Sequence, residues 1–180
     1  MAKFTNSSIG ILGGSFDPAH DGHIKISNIA IKRKKLKKLY WIITKRNPHK
    51  KKTFFSIEER LFQAKNISKK FKKIEVLYLD KIVKSSRSIN IINYIIKKKN
   101  PKNLYFVIGS DILINFHKWK SWKKIAKLVK LIVFSRKGYD KKGKDSTVVK
   151  FIKKKNIIFI SNKPIFISST VLRKNLARNT

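Results

Sequence analysis

The densest chemistry in the chain lies in one run near its start, Gly13-Gly14-Ser15-Phe16-Asp17-Pro18-Ala19-His20-Asp21-Gly22-His23. The double glycine follows a short apolar run, Ser8 to Leu12. A strand end without side chains lets its backbone approach a ligand closely, and such glycines are expected to take up dihedrals closed to other residues. Asp17-Pro18 shapes a turn, Pro through its locked φ and Asp by accepting from nearby amides. His20 and His23 are spaced i, i+3 at the start of a helical segment, which places both imidazoles on one side of its first turn. That position adjoins free N–H groups and the positive end of the helix dipole, where an anion is favoured. Gly22 between them keeps the approach open. The chemistry indicated is phosphate binding with stabilisation of developing negative charge. Asp17 and Asp21 flank the pair without metalloenzyme spacing, and the chain has no cysteine, so no metal site built from protein ligands is expected.

Three further segments carry polar residues suited to the same work. Ser168-Ser169-Thr170 with Arg173 offers hydroxyls, helix-start amides and a cation, although Ser-Ser-Thr is equally what a plain N-cap looks like. Gly109-Ser110-Asp111 follows an apolar run and precedes Trp119 and Trp122, aromatics that could stack on a ring or fill a core. Asn47-Pro48-His49-Lys50 closes another apolar run with a cation at its end.

The elements that must position these groups alternate. Strands are predicted at Ser8 to Leu12, Leu39 to Ile43, Ile74 to Leu79, Leu104 to Ile108, Lys130 to Ser135 and Asn156 to Ile160. Helices are predicted over Asp21 to Lys38, Ile57 to about Lys69, Ile89 to Lys99 and around Trp119 to Lys127. A weak helix leads to Lys154, and a last one begins near Ser169 with Leu172 and Leu176. Ser56 with Glu59 is a capping-box signature, and Asn100-Pro101 is a stop. Gly138 to Lys144 reads as the loosest stretch. The pattern predicts an α/β fold, a mostly parallel sheet with helices on both faces, forming a single domain over residues 1–180. In such sheets ligands bind beyond the carboxyl ends of the strands at the topological switch point. The segments 13–23, 44–50 and 109–119 are expected there as loops.

With 180 residues and 42% hydrophobic content, the chain can bury an ordinary core. Its net charge of +36 points first to nucleic acid. The texture does not: 38 of the 45 basic residues are Lys and only 7 are Arg, scattered in short runs such as Lys97 to Lys99. Readout of bases favours Arg for its bidentate fork. The abundance of Lys, Ile and Asn, all with A- and T-rich codons, is better explained as base-composition drift onto solvated faces. Specific nucleic-acid binding is therefore not expected, while non-specific attraction to polyanions follows from the charge. The first eight residues lack the apolar run of a signal peptide, and no window approaches a membrane span. A cytoplasmic enzyme without a membrane partner is expected.

The run GGSFDPAHDGH resembles the signature of the (T/H)xGH nucleotidyltransferases, and most closely that of the nicotinate-nucleotide adenylyltransferases. Ile167-Ser168-Ser169-Thr170-Val171-Leu172-Arg173 is similar to that family's C-terminal ISSTxIR motif. Gly109-Ser110-Asp111 with Phe116-His117-Lys118-Trp119 resembles its GxD…FxxW segment. Phe134-Ser135-Arg136-Lys137-Gly138 resembles an RPG element with Lys137 in place of Pro. The resemblance implies a Rossmann-like nucleotidylyltransferase fold and transfer of AMP from ATP to nicotinate mononucleotide, yielding deamido-NAD and pyrophosphate. It implies that His20 and His23 stabilise charge at the α-phosphate while Gly13, Gly14 and Ser15 cradle phosphates. Asp111 would contact the ATP ribose or its surroundings, and Ser168, Ser169, Thr170 and Arg173 the β- and γ-phosphates. Trp119 would stack on the pyridine ring and Lys50 meet a phosphate. A Ser-Tyr-Thr stretch of the family is replaced by Ser86-Arg87-Ser88, where Arg87, with Ser88, is placed to pair with the nicotinate carboxylate. Mg²⁺ would accompany ATP, held mainly by phosphates and water. A phosphopantetheine adenylyltransferase is the alternative within the superfamily, and a basic nucleic-acid-binding protein the alternative outside it. Homo-oligomerisation is left open.

Overall fold

The computed structural model describes residues 5–45, 53–161 and 167–177, for residues 5 and 6 as backbone alone. Six strands form one sheet: β1 Thr5–Gly14, β2 Lys38–Ile43, β3 Ile74–Leu77, β4 Pro101–Gly109, β5 Lys130–Phe134 and β6 Ile157–Ile160. The order is β3-β2-β1-β4-β5-β6 and every neighbouring pair is parallel. The chain winds outward one way from β1 through β2 to β3, then returns to place β4 on the other side. The switch point therefore lies between β1 and β4, with Gly13 and Gly14 at the carboxyl end of one and Gly109 at the end of the other.

Alternation along the strands sends side chains to two separate cores, which is why both faces must be covered. Ile9, Ile11, Tyr40, Ile42, Leu104, Phe106, Leu131 and Val133 share one face. It is packed by α3 (Ser88–Lys99), α4 (Ser110–Asn115), α5 (Trp122–Leu128) and α7 (Thr147–Phe151), while α6 (Asp140–Lys144) packs on α4. Leu12, Leu39, Trp41, Tyr105, Val107, Ile132 and Phe134 point to the other face, under α1 (Asp21–Lys34) and α2 (Ile57–Ser68). The last helix, α8 (Ser169–Leu176), buries no residue. Among the described residues no helix is long and apolar enough to cross a membrane.

Several boundaries differ from the sequence expectation for physical reasons. The first helix ends at Lys34, not Lys38, because Leu36 is drawn wholly into the core against Gly10. Lys35 turns left-handed at φ 47° and the Leu36 N–H closes back on the Ile31 carbonyl at 3.0 Å. The segment 109–119, expected as a loop, contains α4 and a 3-10 turn at Phe116–Lys118, because Leu113 and Phe116 are fully buried at helical spacing. Trp119 lies extended between that turn and α5, which starts at Trp122 after a left-handed Ser121. The stretch read as loosest holds α6. The weak helix before Lys154 is α7, followed by a second 3-10 turn at Lys154–Asn156.

Candidate active site

β1 delivers its last two residues to the open end of the sheet in extended form. Gly13 pairs with Ile42 and Gly14 with Ile43. Neither glycine takes a positive φ, contrary to the expectation for this turn. As strand rungs they keep extended dihedrals, and what their missing side chains leave is bare backbone beside the Phe106 ring at Gly13 and beside the Phe16 ring at Gly14. The handedness reverses two residues later, at Phe16 (φ 47°), where it costs roughly 1–2 kcal/mol for an L-residue. Burial offsets that cost: the Phe16 ring is 2% exposed, with ring centroids 5.0 Å from Trp41 and 4.7 Å from His23. Trp41 is in turn anchored by its indole N–H, which donates to Ser27 Oγ at 2.8 Å. An aromatic stack thus supports one motif histidine from below.

The two histidines meet as the spacing predicts, with ring centroids 3.9 Å apart. His20 is the N-cap of α1. Its Nδ1 accepts from the Gly22 N–H at 3.1 Å, and its own N–H donates to His23 Nδ1 at 3.2 Å. These bonds fix the tautomers. A neutral imidazole whose Nδ1 accepts carries its proton on Nε2, so each ring carries an Nε2–H donor. His20 is held neutral: its pKa is lowered from 6.5 to about 4, chiefly by burial, further by the Arg136 guanidinium, and against an opposing pull from Asp21.

Asp17 is buried and acts as an internal acceptor. Its carboxylate takes the N–H groups of Phe54 and Phe55, each at 2.9 Å, and pairs with Arg173 at 3.6 Å. Arg173 Nη1 also donates to the Asp17 carbonyl, and Nη2 to Thr170 Oγ1 at 3.3 Å. Ser169 Oγ donates to the Pro18 carbonyl at 2.9 Å. The C-terminal segment is thereby fastened to the first motif across 151 residues of sequence. Ser168 does what a plain N-cap does, accepting from the Val171 N–H at 3.3 Å. Ser15 is buried, and its carbonyl is taken up by a side chain from α2.

Across the switch point Asp111 sits in the first turn of α4, with Oδ1 3.4 Å from Arg136 Nε. The Arg136 N–H donates to Ser110 Oγ and to Asp140 Oδ1, each at 3.0 Å. Asp140 is held below the ordinary carboxylate range by the Ser135 hydroxyl first of all. A Cβ at Gly109 would overlap Asp111 Oδ1 and press on Arg136, so a side chain there would displace the Asp111 carboxylate.

On the β2–β3 side a hollow of about 330 Å³ is lined by Lys45, Tyr78, Asp80, Lys81, Ser85 and Ser86. Asp80 Oδ2 accepts from the Lys45 N–H at 2.9 Å, and burial raises the pKa of this carboxyl against the opposing effects of that bond and of Arg60. Arg87, the exposed N-cap of α3, and Ser88, its first residue, follow Ser85 and Ser86 in the chain but do not line the hollow. Trp119 is half-buried, packed against Phe116 (5.1 Å) and edge-on to Phe106 (6.1 Å), which leaves part of its indole accessible. Lys50 lies outside the described residues.

Arg60, which no motif marks, reaches the site, and so does Arg136, which the RPG-like element contains without a role assigned to it. In a chain with 38 Lys and 7 Arg, Arg is the rarer cation and the one with a planar, five-donor head.

The sequence model of the cytidylyltransferase-like family matches residues 11–175. The chain is 44% identical over 168 residues to a probable nicotinate-nucleotide adenylyltransferase of Pelagibacter ubique, covering 93% of each chain. It is 34% identical over 167 residues to one of Endomicrobium trichonymphae, covering 92% of this chain and 84% of the relative. In fold it is similar to Plasmodium falciparum nicotinic acid mononucleotide adenylyltransferase complexed with NaAD, with a TM-score of 0.76 and 21% identity over 94% of this chain and 83% of that one. With the parallel sheet, the paired histidines at its switch point and the C-terminal helix fastened beside them, these matches place the chain in the nicotinate-nucleotide adenylyltransferase family of cytidylyltransferase-like proteins.

Proposed function

We propose that the chain transfers AMP from ATP to nicotinate mononucleotide, forming deamido-NAD and pyrophosphate for NAD biosynthesis, as a single cytoplasmic domain. The observation that carries this reading is the meeting of the two phosphate-handling motifs at the β1/β4 switch point, in a chain 44% identical to a relative of that name. The 5′-phosphate oxygen of the mononucleotide attacks the α-phosphorus of ATP in line, and pyrophosphate leaves. No side chain becomes covalently attached, so the protein's contribution is alignment and charge stabilisation. His20 and His23 donate from Nε2 to the phosphate oxygens on which charge builds. Both donors are fixed in direction before substrate arrives, so little reorganisation accompanies reaction.

Gly13 and Gly14 admit the triphosphate to the strand end, with Ser15 contributing through its backbone. Ser168, Ser169 and Thr170 offer the start of α8 to the β- and γ-phosphates, with Arg173 adding charge there, and Asp111 faces the ribose. The hollow before α3 takes the acceptor: its Ser85-Ser86 wall leads to the amino end of a 12-residue helix, a favourable place for a carboxylate. Arg87 and Ser88 stand there, Trp119 supplies a ring face, and Lys50 meets a phosphate. Among the described residues no three His, Asp or Glu side chains converge as a metal cage. Mg²⁺ is proposed to arrive with ATP, held by phosphate oxygens and water, where it would neutralise phosphate charge.

The test is pyrophosphate release from ATP with nicotinate mononucleotide, nicotinamide mononucleotide and phosphopantetheine compared side by side. Nicotinate mononucleotide should give the highest kcat/KM; preference for phosphopantetheine, or no release with any acceptor, would refute the assignment. His20→Ala should keep the far-UV circular dichroism of the parent and lose about 10²–10³ in kcat, the usual cost of one preorganised donor.

A further inference from the structure

Arg60 is the fourth residue of α2 and is 1% exposed, one of the largest side chains buried in the protein. Its neighbour Glu59 is committed elsewhere: the Glu59 carboxylate accepts from the Ser56 N–H at 2.7 Å in the capping box. The Arg60 guanidinium is instead surrounded by main chain. Nε donates to the carbonyls of Phe55 and Ser56, each at 3.2 Å. Nη1 donates to Ser15 O at 2.8 Å and Thr44 O at 2.9 Å, and Nη2 to Lys45 O at 3.3 Å. Burying a cation without a close carboxylate is costly. Here it is sustained by five carbonyl dipoles and by the fields of Asp17, Tyr78, Glu58 and Asp80, which partly restore a basicity that burial lowers.

The carbonyls belong to three segments with separate tasks. Ser15 ends the phosphate cradle, Thr44 and Lys45 begin the turn after β2 on the acceptor side, and Phe55 and Ser56 start α2. A trans peptide is planar, so pinning Ser15 O also fixes the Phe16 N–H on the opposite edge of the same unit. Further bonds tie the segments together. Thr44 N–H donates to Gly14 O at 3.1 Å, Lys45 N–H to Asp80, and the Phe54 and Phe55 N–H groups to Asp17. The stretch before α2 is thus gripped by its N–H groups from Asp17 and by its carbonyls from Arg60. Lysine has three donors diverging from one atom and cannot replace a planar fork that reaches three chain segments.

We propose that Arg60 is a positioning residue that locks the ATP cradle at 13–16 to the acceptor-side turn at 44–45, and so sets the alignment of the two substrates. The proposal rests on the adenylyl-transfer reading above. In-line displacement is sensitive to such alignment: a misplacement of about 1 Å from a distant change can cost about 10² in rate. Arg60 is 1% exposed and its bonds to Phe55, Ser56, Ser15, Thr44 and Lys45 go to main-chain carbonyls, so its loss should lower kcat and leave each KM within about threefold, the signature of lost alignment rather than lost binding.

The experiment compares wild type, Arg60→Lys and Arg60→Ala in the pyrophosphate assay, with kcat and both KM values corrected for folded fraction. Lys is expected to lose about 10–10² in kcat per folded molecule. Ala is expected to regain activity with millimolar guanidinium but not methylammonium. A second measurement needs no variant. Hydrogen exchange of the wild type should show that a non-hydrolysable ATP analogue alone protects the amides of residues 44–45 and 54–56, together with those of 13–23. Unchanged kcat per folded molecule in Arg60→Lys, or protection confined to 13–23 and 168–173, overturns the proposal. Absence of pyrophosphate release from wild type would instead overturn the adenylyl-transfer reading itself.

Discussion

At the residue scale, the useful property of His20 is that it does not titrate where a free imidazole would. The unfolded chain takes up this proton below pH 6.5, the folded protein not until about pH 4. Between those values the unfolded state binds more protons, so stability rises with pH. The contribution is complete above pH 6.5 and is lost as pH falls to about 4. The same neutrality keeps Nε2–H a directed donor, with Nδ1 occupied by the Gly22 N–H. The positive charge of Arg136 is the second cause of the low value, after burial. Arg136→Gln should therefore raise the His20 pKa, and Asp21→Asn should lower it further. Nitrogen-15 imidazole spectra of the ligand-free protein check both, with wild-type His20 expected as the neutral Nε2–H tautomer at pH 6.5. A protonated ring at that pH would contradict the assignment.

At the scale of elements, the site is assembled by segments that each depend on one tight contact. α4 starts where Gly109 leaves room for Asp111 to fold back toward Arg136. Gly109→Ala adds a Cβ into the Asp111 carboxylate while its φ of −89° suits any residue. The strain is thus steric and local. Its expected result is a melting temperature close to that of wild type with a weakened KM for ATP, checked by calorimetry and initial rates. α8 is the contrasting case. It buries no residue, and the bonds that fasten it to the first motif, Ser169 to Pro18 and Arg173 to Asp17, are polar. Local opening is easiest where few apolar contacts form. Arg173→Ala should accelerate hydrogen exchange in residues 168–177 while the amides of the sheet exchange as before.

At the scale of the whole molecule, the charge of +36 acts through its sum. It extends beyond the site: a hollow of about 590 Å³ at the opposite end of the sheet is lined by residues that include Arg33, Lys34, Lys35, Lys37 and Lys102. A field of this kind draws in anionic nucleotides from a distance and is screened by salt, with a Debye length of about 10 Å at 0.1 M and about 3 Å at 1 M. kcat/KM for ATP should fall steadily with added NaCl while kcat changes little. A kcat/KM independent of salt would show that the lysines play no part in encounter.

The sequence by itself determined the fold class, because alternating apolar runs with caps and stops leave few arrangements other than a parallel sheet covered on both faces. It also determined the histidine pair, since i, i+3 spacing at a helix start is local geometry. The N-cap role of Ser168 was legible for the same reason. The tertiary structure alone decided where the backbone reverses: the spacing pointed to Gly13 and Gly14, but the left-handed residue is Phe16, stabilised by a ring stack with Trp41 and His23. It alone turned 110–115 into a helix, because six residues are too few for periodicity to declare itself, and the burial of Leu113 and Phe116 settles the matter. It alone brought Arg60 to Ser15 and Thr44, and Arg173 to Asp17. Those partners lie between 16 and 156 residues apart in the chain. Local patterns record what a segment does with its own neighbours. A buried guanidinium takes its meaning from carbonyls on other segments, whose positions exist only once the sheet has closed its order.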